Sequence, residues 1–355
     1  MRAVSGMRRI LQATQVAARQ AAMLFAHRAI ILLYHRVAEG HPDPHLLCVS
    51  PQHFAEHLQV LRRWGRPVAV RDLSAGLRSG NIPPRGVALT FDDGYADNLT
   101  QALPLLEQAQ MPATVYASGG HVQSGGELYI DELQHAILTR RDLPAEFVLH
   151  IGRTEYRWSA APPGKAHPAA ADNLAWPDSA RERIYLEVCQ LLRPLNAAER
   201  EHALEELRAQ LGERPVACSQ HRLLSRDQLR ALDAHPLVEI GSHGLDHLVL
   251  ANLDREAQAA EMRAGLQVLE RILDRKVESF AYPYGSPWDV GRQTVALARE
   301  LGLREACANT PGQVVRGSNP YWLPRFLVRD WDGEEFERRL RGFDRPQPAR
   351  EVARE

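Results

Sequence analysis

Seven short apolar runs, separated by segments with helical patterning, constrain the fold of this 355-residue chain more than any other feature. Each run is rich in Val, Ile, Leu, Ala, Phe or Tyr and lacks polar alternation, as strands buried on both faces do. Strands that alternate with helices form parallel sheets joined by crossover helices, so we predict an α/β fold. The runs are residues 29–34, 87–91, 113–117, 238–242, 279–282, 305–308 and 326–331.

The segments between the runs carry the start signals and the periodicity of helices. Residues 254–273 follow two candidate N-caps, Asn252 and Asp254, and repeat apolar residues at helical spacing. The length of the chain allows one large barrel domain or two ordinary ones. Further helices are predicted over residues 52–64, 97–110 and 288–301.

Residues 125–222 interrupt this rhythm between the third and fourth runs. A short polar hairpin is predicted over residues 146–158 and a charged helical stretch over residues 180–211, with an Ala- and Pro-rich segment between them. We interpret residues 125–222 as a mainly helical insertion, placed to pack beside the sheet and shape the entrance for a substrate.

The two ends of the chain differ from the segments between them. Residues 1–27 predict an N-terminal helical extension, whose apolar residues are interrupted too often for a cleaved secretory signal or a membrane span. This helix either packs on its own domain or rests as a basic amphipathic helix on a membrane surface. Residues 343–355 predict a polar tail.

The sharpest polar feature is the sequence TFDDG at residues 90–94, directly after an apolar run. The carboxyl ends of parallel strands are where catalytic groups gather in α/β folds. Because neighbouring residues in an extended chain point in different directions, one of Asp92 and Asp93 can bind a metal while the other faces a water molecule. In isolation the same sequence is also an ordinary surface turn.

A second block, VEIGSHGLDH at residues 238–247, ends another apolar run with two histidines four residues apart. Neutral imidazole is the commonest protein ligand for metals. Two histidines with one carboxylate form a familiar catalytic zinc set that leaves a position for water. The pair His243 and His247 therefore predicts a metal site shared with the aspartates.

A third block, SFAYPYG at residues 279–285, runs from a strand into a turn stiffened by proline. Such a turn can present a backbone N–H to a developing oxyanion, and the side chains of Tyr282 and Pro283 are candidate contacts for a sugar. Simple turn chemistry explains the block equally well.

A fourth block, LPRFLVRDWDG at residues 323–333, places Arg325, Asp330 and Trp331 around the last run. The two charged residues are candidates to tune a catalytic carboxylate, and the tryptophan is a candidate wall of a substrate groove. The alternative is an ordinary salt bridge beside a core tryptophan.

These four blocks, in this order, resemble the motifs of the polysaccharide deacetylase family with the NodB homology domain, carbohydrate esterase family 4. The similarity covers roughly residues 28–332, and the sequence FAYPYG resembles a branch that often accompanies exopolysaccharide or capsule assembly. The resemblance implies a distorted (β/α)7 barrel, here over residues 28–342, which agrees with the seven apolar runs.

Carried over by position, the resemblance implies a role for each site residue. Asp92 is the general base. Asp93, His243 and His247 bind Zn²⁺ or another divalent transition metal, and the backbone N–H of Tyr284 forms part of the oxyanion hole.

Two positions depart from the family pattern. The arginine that many members carry in the third motif is Ala281 here, and Arg325 is the candidate replacement. No histidine in residues 307–312 matches the fifth-motif general acid. The proton for the leaving amine then comes from the base itself, from His35 or His121 where either reaches the site, or through water.

The sequence thus predicts an enzyme that hydrolyses the N-acetyl group of an amino sugar in a glycan. An O-acetyl esterase or another amide metallohydrolase on the same barrel is the first alternative, because it needs the same metal and base. A non-catalytic glycan-binding protein is the second, although a binding protein has no need of Asp92.

Composition limits the partners and the location of this chain. With 43 basic and 44 acidic residues, the formal charge of −1 gives no net field to gather nucleic acid, so we expect a glycan containing N-acetylhexosamine as the partner and no nucleic acid. Four well-separated cysteines predict buried thiols rather than a disulfide framework. We expect a cytoplasmic protein, with peripheral contact to the inner membrane face or to glycan-assembly enzymes as the alternative.

Overall fold

A computed structural model describes most of the chain. The described ranges are residues 28–39, 42–139, 143–159, 180–212 and 222–344. The predicted N-terminal extension and all but the first two residues of the predicted polar tail lie outside these ranges.

A strongly curled, mostly parallel sheet carries the fold. Seven strands pair in parallel in the order β11-β10-β9-β6-β5-β1-β13, and they correspond to the seven predicted runs. The short strand β12 pairs antiparallel with the start of β1, which makes the sheet mixed. The strands are β1 Arg28–Tyr34, β2 Arg36–Val37, β3 Cys48–Val49, β4 Arg66–Pro67, β5 Gly86–Phe91, β6 Ala113–Ala117, β7 Glu146–Ile151, β8 Thr154–Ser159, β9 Val238–Ser242, β10 Ser279–Ala281, β11 Glu305–Cys307, β12 Val314–Val315 and β13 Phe326–Leu327.

The helices lie between the strands, as the sequence predicts for crossover connections. Together with the sheet they confirm the predicted α/β fold, here a curled half-barrel. They are α1 Pro51–Trp64, α2 Val70–Ser79, α3 Leu103–Ala109, α4 Gly119–Ser124, α5 Tyr129–Leu133, α6 Ala180–Leu192, α7 Ala197–Leu211, α8 Arg226–Asp233, α9 Arg255–Leu273, α10 Arg292–Glu300 and α11 Gly333–Phe343, with π-helical turns at Asn98–Ala102 and Gln134–Thr139 and a 3-10 turn at Leu250–Asn252.

Two predicted elements are shorter in the structure. Strand β13 ends at Leu327 instead of residue 331, because Arg329 turns away to donate to the carbonyls of His45 and Leu46. The helix predicted from residue 288 begins at Arg292.

Side chains along each strand alternate between two buried clusters. In β1, Ile30, Leu32 and Tyr34 face the cluster under the helices, whereas Ala29 and Ile31 face the inside of the curl. This alternation follows from the two-residue repeat of a strand, and it explains why the runs are apolar throughout. Both faces of the sheet are therefore covered.

The predicted insertion builds a core of its own. Strands β7 and β8 form the predicted antiparallel hairpin, and its inner side chains pack with α6 and α7 in a cluster separate from those of the main sheet. None of the described helices has the length and apolar character needed to cross a membrane.

The start of α9 matters for the site because this long helix packs behind β9. Asp254 is its N-cap, as predicted, and its side chain accepts a hydrogen bond from the backbone N–H of Ala257 at 2.8 Å. Such a cap satisfies one of the N–H groups that the first helical turn leaves without a partner.

We expect Asp254→Ala to lower the free energy of unfolding by about 1 kcal/mol, the usual effect of removing an N-cap. Asp254→Asn keeps the accepting oxygen and serves as the control, with a stability close to that of the wild type. Urea unfolding followed by circular dichroism measures both. Equal stability of the alanine variant and the wild type would contradict the capping role.

Candidate metal centre and active site

The predicted metal ligands meet at the carboxyl ends of β5 and β9. The ligand atoms of Asp93, His243 and His247 all lie within 4.8 Å of one another, and all three residues are buried. Oδ1 of Asp93 is 3.5 Å from Nε2 of His243 and 3.3 Å from Nε2 of His247. Strand order explains the meeting, because parallel strands deliver their carboxyl ends to one edge of the sheet.

The protonation of the two imidazoles suits a cation. Burial lowers the pKa of His243, and it lowers the pKa of His247 to about 3, so both rings are neutral near pH 7. Nδ1 of His243 lies 2.7 Å from the carbonyl oxygen of Ala281. Because a carbonyl only accepts, Nδ1 carries the proton and Nε2 presents its lone pair to the site.

The third ligand has an unsatisfied oxygen. Oδ1 of Asp93 is buried and has no hydrogen-bond partner among the described residues. A buried carboxylate oxygen without a donor is rare in a native structure, unless an ion or water completes it. Two neutral imidazoles and one carboxylate match the donor set of a divalent metal, so these residues fit the ion that the family pattern implies.

Three site residues have strained backbones. Asp93, His247 and Tyr284 have φ angles of +73°, +53° and +60°, in the left-handed region that side chains other than glycine rarely adopt. Gly94 follows with φ +75°, and a Cβ there would lie 2.9 Å from the Cβ of Ala117. Such strain costs about 1–3 kcal/mol per residue and tends to cluster at functional sites.

Beside the metal ligands, Asp92 forms a buried ion pair with Arg325. The two terminal nitrogens of Arg325 each donate to a different carboxylate oxygen of Asp92 at 2.7 Å. Nε of Arg325 donates to the carbonyl of Ala308, and the residue has no exposed surface. The expected contact between Arg325 and the candidate base is therefore present.

The ion pair determines the charge of Asp92. Burial alone would raise the pKa of Asp92, but the charge of Arg325 and the hydrogen bonds that Arg325 donates bring it below the ordinary value. The neighbouring Asp93 lacks such a partner, and burial raises its pKa. Asp92 is thus held as a carboxylate, ready to accept a proton.

The turn at Pro283 presents a free backbone donor. The N–H of Gly285 donates to the carbonyl of Pro283 at 2.6 Å, whereas the N–H of Tyr284 has no acceptor among the described residues. The Tyr284 ring packs edge-on against His247, with centroids 4.7 Å apart. A backbone N–H without an acceptor makes Tyr284 a candidate oxyanion donor.

Three other predicted residues have their contacts elsewhere. The prediction that Tyr282 contacts a sugar is wrong, since its ring is fully buried and its hydroxyl donates to the carbonyl of Tyr321. Among the described residues, Asp330 accepts hydrogen bonds from Ser50 and contacts His53 at the start of α1, not Asp92. The carbonyl of Trp331 contacts Nε2 of His57, 2.6 Å away.

Two histidines were candidate proton donors. His35 follows β1. Burial lowers its pKa, and the charges of Asp93 and Asp92 oppose that lowering. His121 is half-buried and lines the same cavity as His247. Burial of its ring lowers its pKa to about 3, and its Nδ1 has no partner among the described residues.

No local sequence pattern marks the residues that support the loop between the two histidines, residues 244–247. Glu261 in α9 accepts hydrogen bonds from two N–H groups of this loop, and Arg200 in α7 donates to two of its carbonyls. The Arg193 guanidinium lies over the Tyr284 ring, 4.5 Å from its centroid. Each is an ordinary charged residue on a predicted helix, so only the fold reveals its position.

Comparison with known proteins adds relatives of stated activity. A curated relative from Escherichia coli K12, named poly-beta-1,6-N-acetyl-D-glucosamine N-deacetylase, is 27% identical over 179 residues, which are 46% of this chain and 26% of that protein. The match thus spans about a quarter of the length of that relative. A second, the putative polysaccharide deacetylase YxkH of Bacillus subtilis, is 33% identical over 113 residues, 30% of this chain and 39% of that protein.

Among solved structures, the deacetylase PplD of Streptococcus pyogenes in complex with acetate has a similar fold. Its TM-score is 0.56 at 16% identity, with 90% of this chain and all of that chain covered. The sequence profile described as polysaccharide deacetylase matches residues 79–142 and 196–306, which contain Asp92, Asp93 and both histidines of the triad. The chain belongs to the polysaccharide deacetylase family, carbohydrate esterase family 4.

Proposed function

We propose that this chain is a metal-dependent deacetylase that removes N-acetyl groups from an amino sugar in a polysaccharide or glycan precursor. One observation carries the proposal: a buried carboxylate, Asp92, is kept ionised by Arg325 directly beside the triad of Asp93, His243 and His247. A base next to a metal site is what hydrolysis of an amide requires.

Zn²⁺ is the proposed metal, held by Asp93, His243 and His247. When bound, it polarises the acetyl carbonyl and lowers the pKa of water. Zinc suits this set because two imidazoles and one carboxylate leave a coordination position open.

The proposed steps of the protein groups follow from their positions. Asp92 accepts a proton from the attacking water, and Arg325 holds its carboxylate in one orientation. The Tyr284 N–H donates to the carbonyl oxygen as negative charge develops there, an effect worth about 2.7–4 kcal/mol per donor. The leaving amine needs a proton. His35 is a better candidate to supply it than His121, because the charges of Asp93 and Asp92 oppose the lowering of its pKa by burial, whereas burial lowers the pKa of His121 to about 3.

The proposed substrate carries N-acetylhexosamine, which the family supports in general terms. The E. coli relative is named for poly-beta-1,6-N-acetyl-D-glucosamine, although the match covers only part of that protein. The third block of residues 279–285 supports a role in exopolysaccharide or capsule synthesis. An O-acetyl ester is the second candidate. Residues 307–312 lack the histidine that acts as general acid in the family, and the alcohol of an ester leaves without a strong acid.

We expect the zinc-loaded protein to release acetate from N-acetylglucosamine oligomers. Asp92→Asn removes the base and should lower kcat about 10²–10⁴-fold, and His243→Ala should lose both bound zinc and activity. Asp330→Asn makes the same chemical change in a carboxylate that is bonded to the start of α1, and it should keep wild-type activity.

Defined O-acetyl glycans, measured in parallel, separate the two candidate substrates. Release from the O-acetyl glycans alone would replace the amide with an ester. An Asp92→Asn variant as active as the wild type would refute the proposed base, and a wild-type protein that binds no metal would refute the metal centre.

A second prediction concerns the ion pair that keeps the base charged. Arg325→Met leaves the Asp92 carboxylate buried without a partner, so we expect a loss of about 3–5 kcal/mol in the free energy of unfolding at pH 7. Without the cation the pKa of Asp92 rises, and the loss should shrink as the pH falls and the carboxyl becomes neutral.

The double variant Asp92→Asn/Arg325→Met removes both charges and serves as the control. It should be more stable than Arg325→Met alone at pH 7. Its loss in free energy of unfolding relative to the wild type should not shrink in the same way as the pH falls. The sign follows from linkage: the lowered pKa of Asp92 in the wild type favours folding above the ordinary pKa of aspartate, and this contribution is lost as the pH falls through the folded value. Urea unfolding between pH 4 and 7 measures these differences. A pH-independent loss in Arg325→Met would contradict the interpretation.

A further inference from the structure

The loop between the two candidate histidine ligands, residues 244–247, forms hydrogen bonds with other segments of the chain along its whole length. The carbonyl of Gly244 accepts a hydrogen bond from the N–H of Gly119, and the carbonyl of Leu245 accepts one from the N–H of Gly120, both at 2.9 Å. These two donors lie at the start of α4. The first half of the loop is thus fixed to the segment that follows β6.

A buried carboxyl group holds the N–H groups of the same loop. Oε1 of Glu261 accepts hydrogen bonds from the N–H groups of Leu245 at 2.9 Å and Asp246 at 2.7 Å. Only 6% of Glu261 is exposed. Burial raises the pKa of Glu261 to about 7, and a carboxyl oxygen accepts hydrogen bonds in both the ionised and the neutral form.

A buried cation holds the next two carbonyls. The guanidinium of Arg200 donates to the carbonyl of Asp246 and, at 3.3 Å, to the carbonyl of His247. It also lies 5.0 Å from the centroid of the Tyr129 ring. Arg200 is as buried as Glu261, so the loop is held between a donor and an acceptor from two different helices.

The helix α9 approaches the loop closely enough for Glu261 to reach it. A Cβ at Gly265 would lie only 2.4 Å from the carbonyl carbon and oxygen of Gly244. Only glycine fits at that position, one helical turn after Glu261. The close approach therefore serves the contact between the carboxylate and the loop.

The need for such support comes from the backbone of His247. Its φ of +53° is unfavourable for a residue with a side chain. Without partners on both sides of the peptide groups, the loop would relax toward an ordinary conformation and His247 would turn away from Asp93. A conformation of this kind persists only where its surroundings determine it.

We propose that Glu261 and Arg200 are positioning residues that fix the backbone of residues 244–247 and thereby set the metal affinity of His247. Neither side chain needs to touch the metal. The inference rests on the proposed metal centre. It assigns part of the strength of metal binding to the two helices behind the site, α7 and α9.

Metal affinity is the measurement that tests this inference. The purified apo-protein is titrated with Zn²⁺ against a chromogenic chelator, and with Co²⁺ while the visible absorption bands are recorded. We expect Arg200→Met and Glu261→Ala each to weaken binding about 10–100-fold, the usual effect of removing a group that orients a metal ligand. The Co²⁺ bands should change as well, because the ligand geometry changes.

Matched controls lie on the same two helices. Arg208 in α7 pairs with Glu132 and Glu201 and donates no hydrogen bond to the loop among the described residues. Glu270 in α9 also accepts a backbone N–H, that of Val277 at 3.3 Å. Arg208→Met and Glu270→Ala should lower stability without changing the metal affinity or the Co²⁺ spectrum.

Conservative variants keep the test decisive if the larger changes prevent folding. Arg200→Lys keeps the charge but lacks the planar fork, and Glu261→Gln keeps the accepting oxygen but not the charge. Both should bind metal more weakly than the wild type and more strongly than the truncated variants. Wild-type metal affinity and an unchanged Co²⁺ spectrum in folded Arg200 and Glu261 variants would overturn the proposed positioning role of these two residues. A wild-type protein that binds no metal would overturn the metal centre itself.

Discussion

The buried ion pair between Asp92 and Arg325 is the interaction on which the charge of this site depends. It joins β5 to the chain just before β13, and both side chains are buried. A buried ion pair gains little net stability, because desolvating two charges offsets their attraction. What it provides is a carboxylate that stays charged at a depth where burial would otherwise favour the neutral acid.

The same depth gives the two neighbouring aspartates different properties. Asp92 has a cation and a lowered pKa, whereas Asp93 has an orphaned oxygen and a raised one. Adjacent residues reach these different environments because Asp93 turns into the left-handed region and directs its side chain toward His243 and His247. One strand end thus supplies both the candidate base and a candidate metal ligand, and Gly94 makes the turn possible.

The sequence predicted those parts that leave a local pattern. Apolar runs located all seven parallel strands, and the spacing of His243 and His247 after a strand predicted two members of the buried triad that fits a divalent metal. Directions of side chains leave no such pattern. Tyr282 was expected to face a sugar, yet its side chain enters the core. Arg325 and Asp330 were both expected near Asp92, yet only Arg325 contacts it, because the chain turns away after Leu327. The alternation of side chains along a strand predicts that the strand has two faces, but not which face is accessible to a substrate.

Support for the metal ligands depends on contacts between segments far apart in the chain, which no local pattern encodes. Arg200 and Glu261 lie 61 positions apart in the sequence, on helices from either side of β9, yet both bond to residues 244–247. Burying such polar groups is costly unless each finds strong partners. The strained loop supplies those partners, because its carbonyls and N–H groups are turned outward. Strain in the loop and burial of the two side chains therefore explain each other, and both keep His247 directed at Asp93.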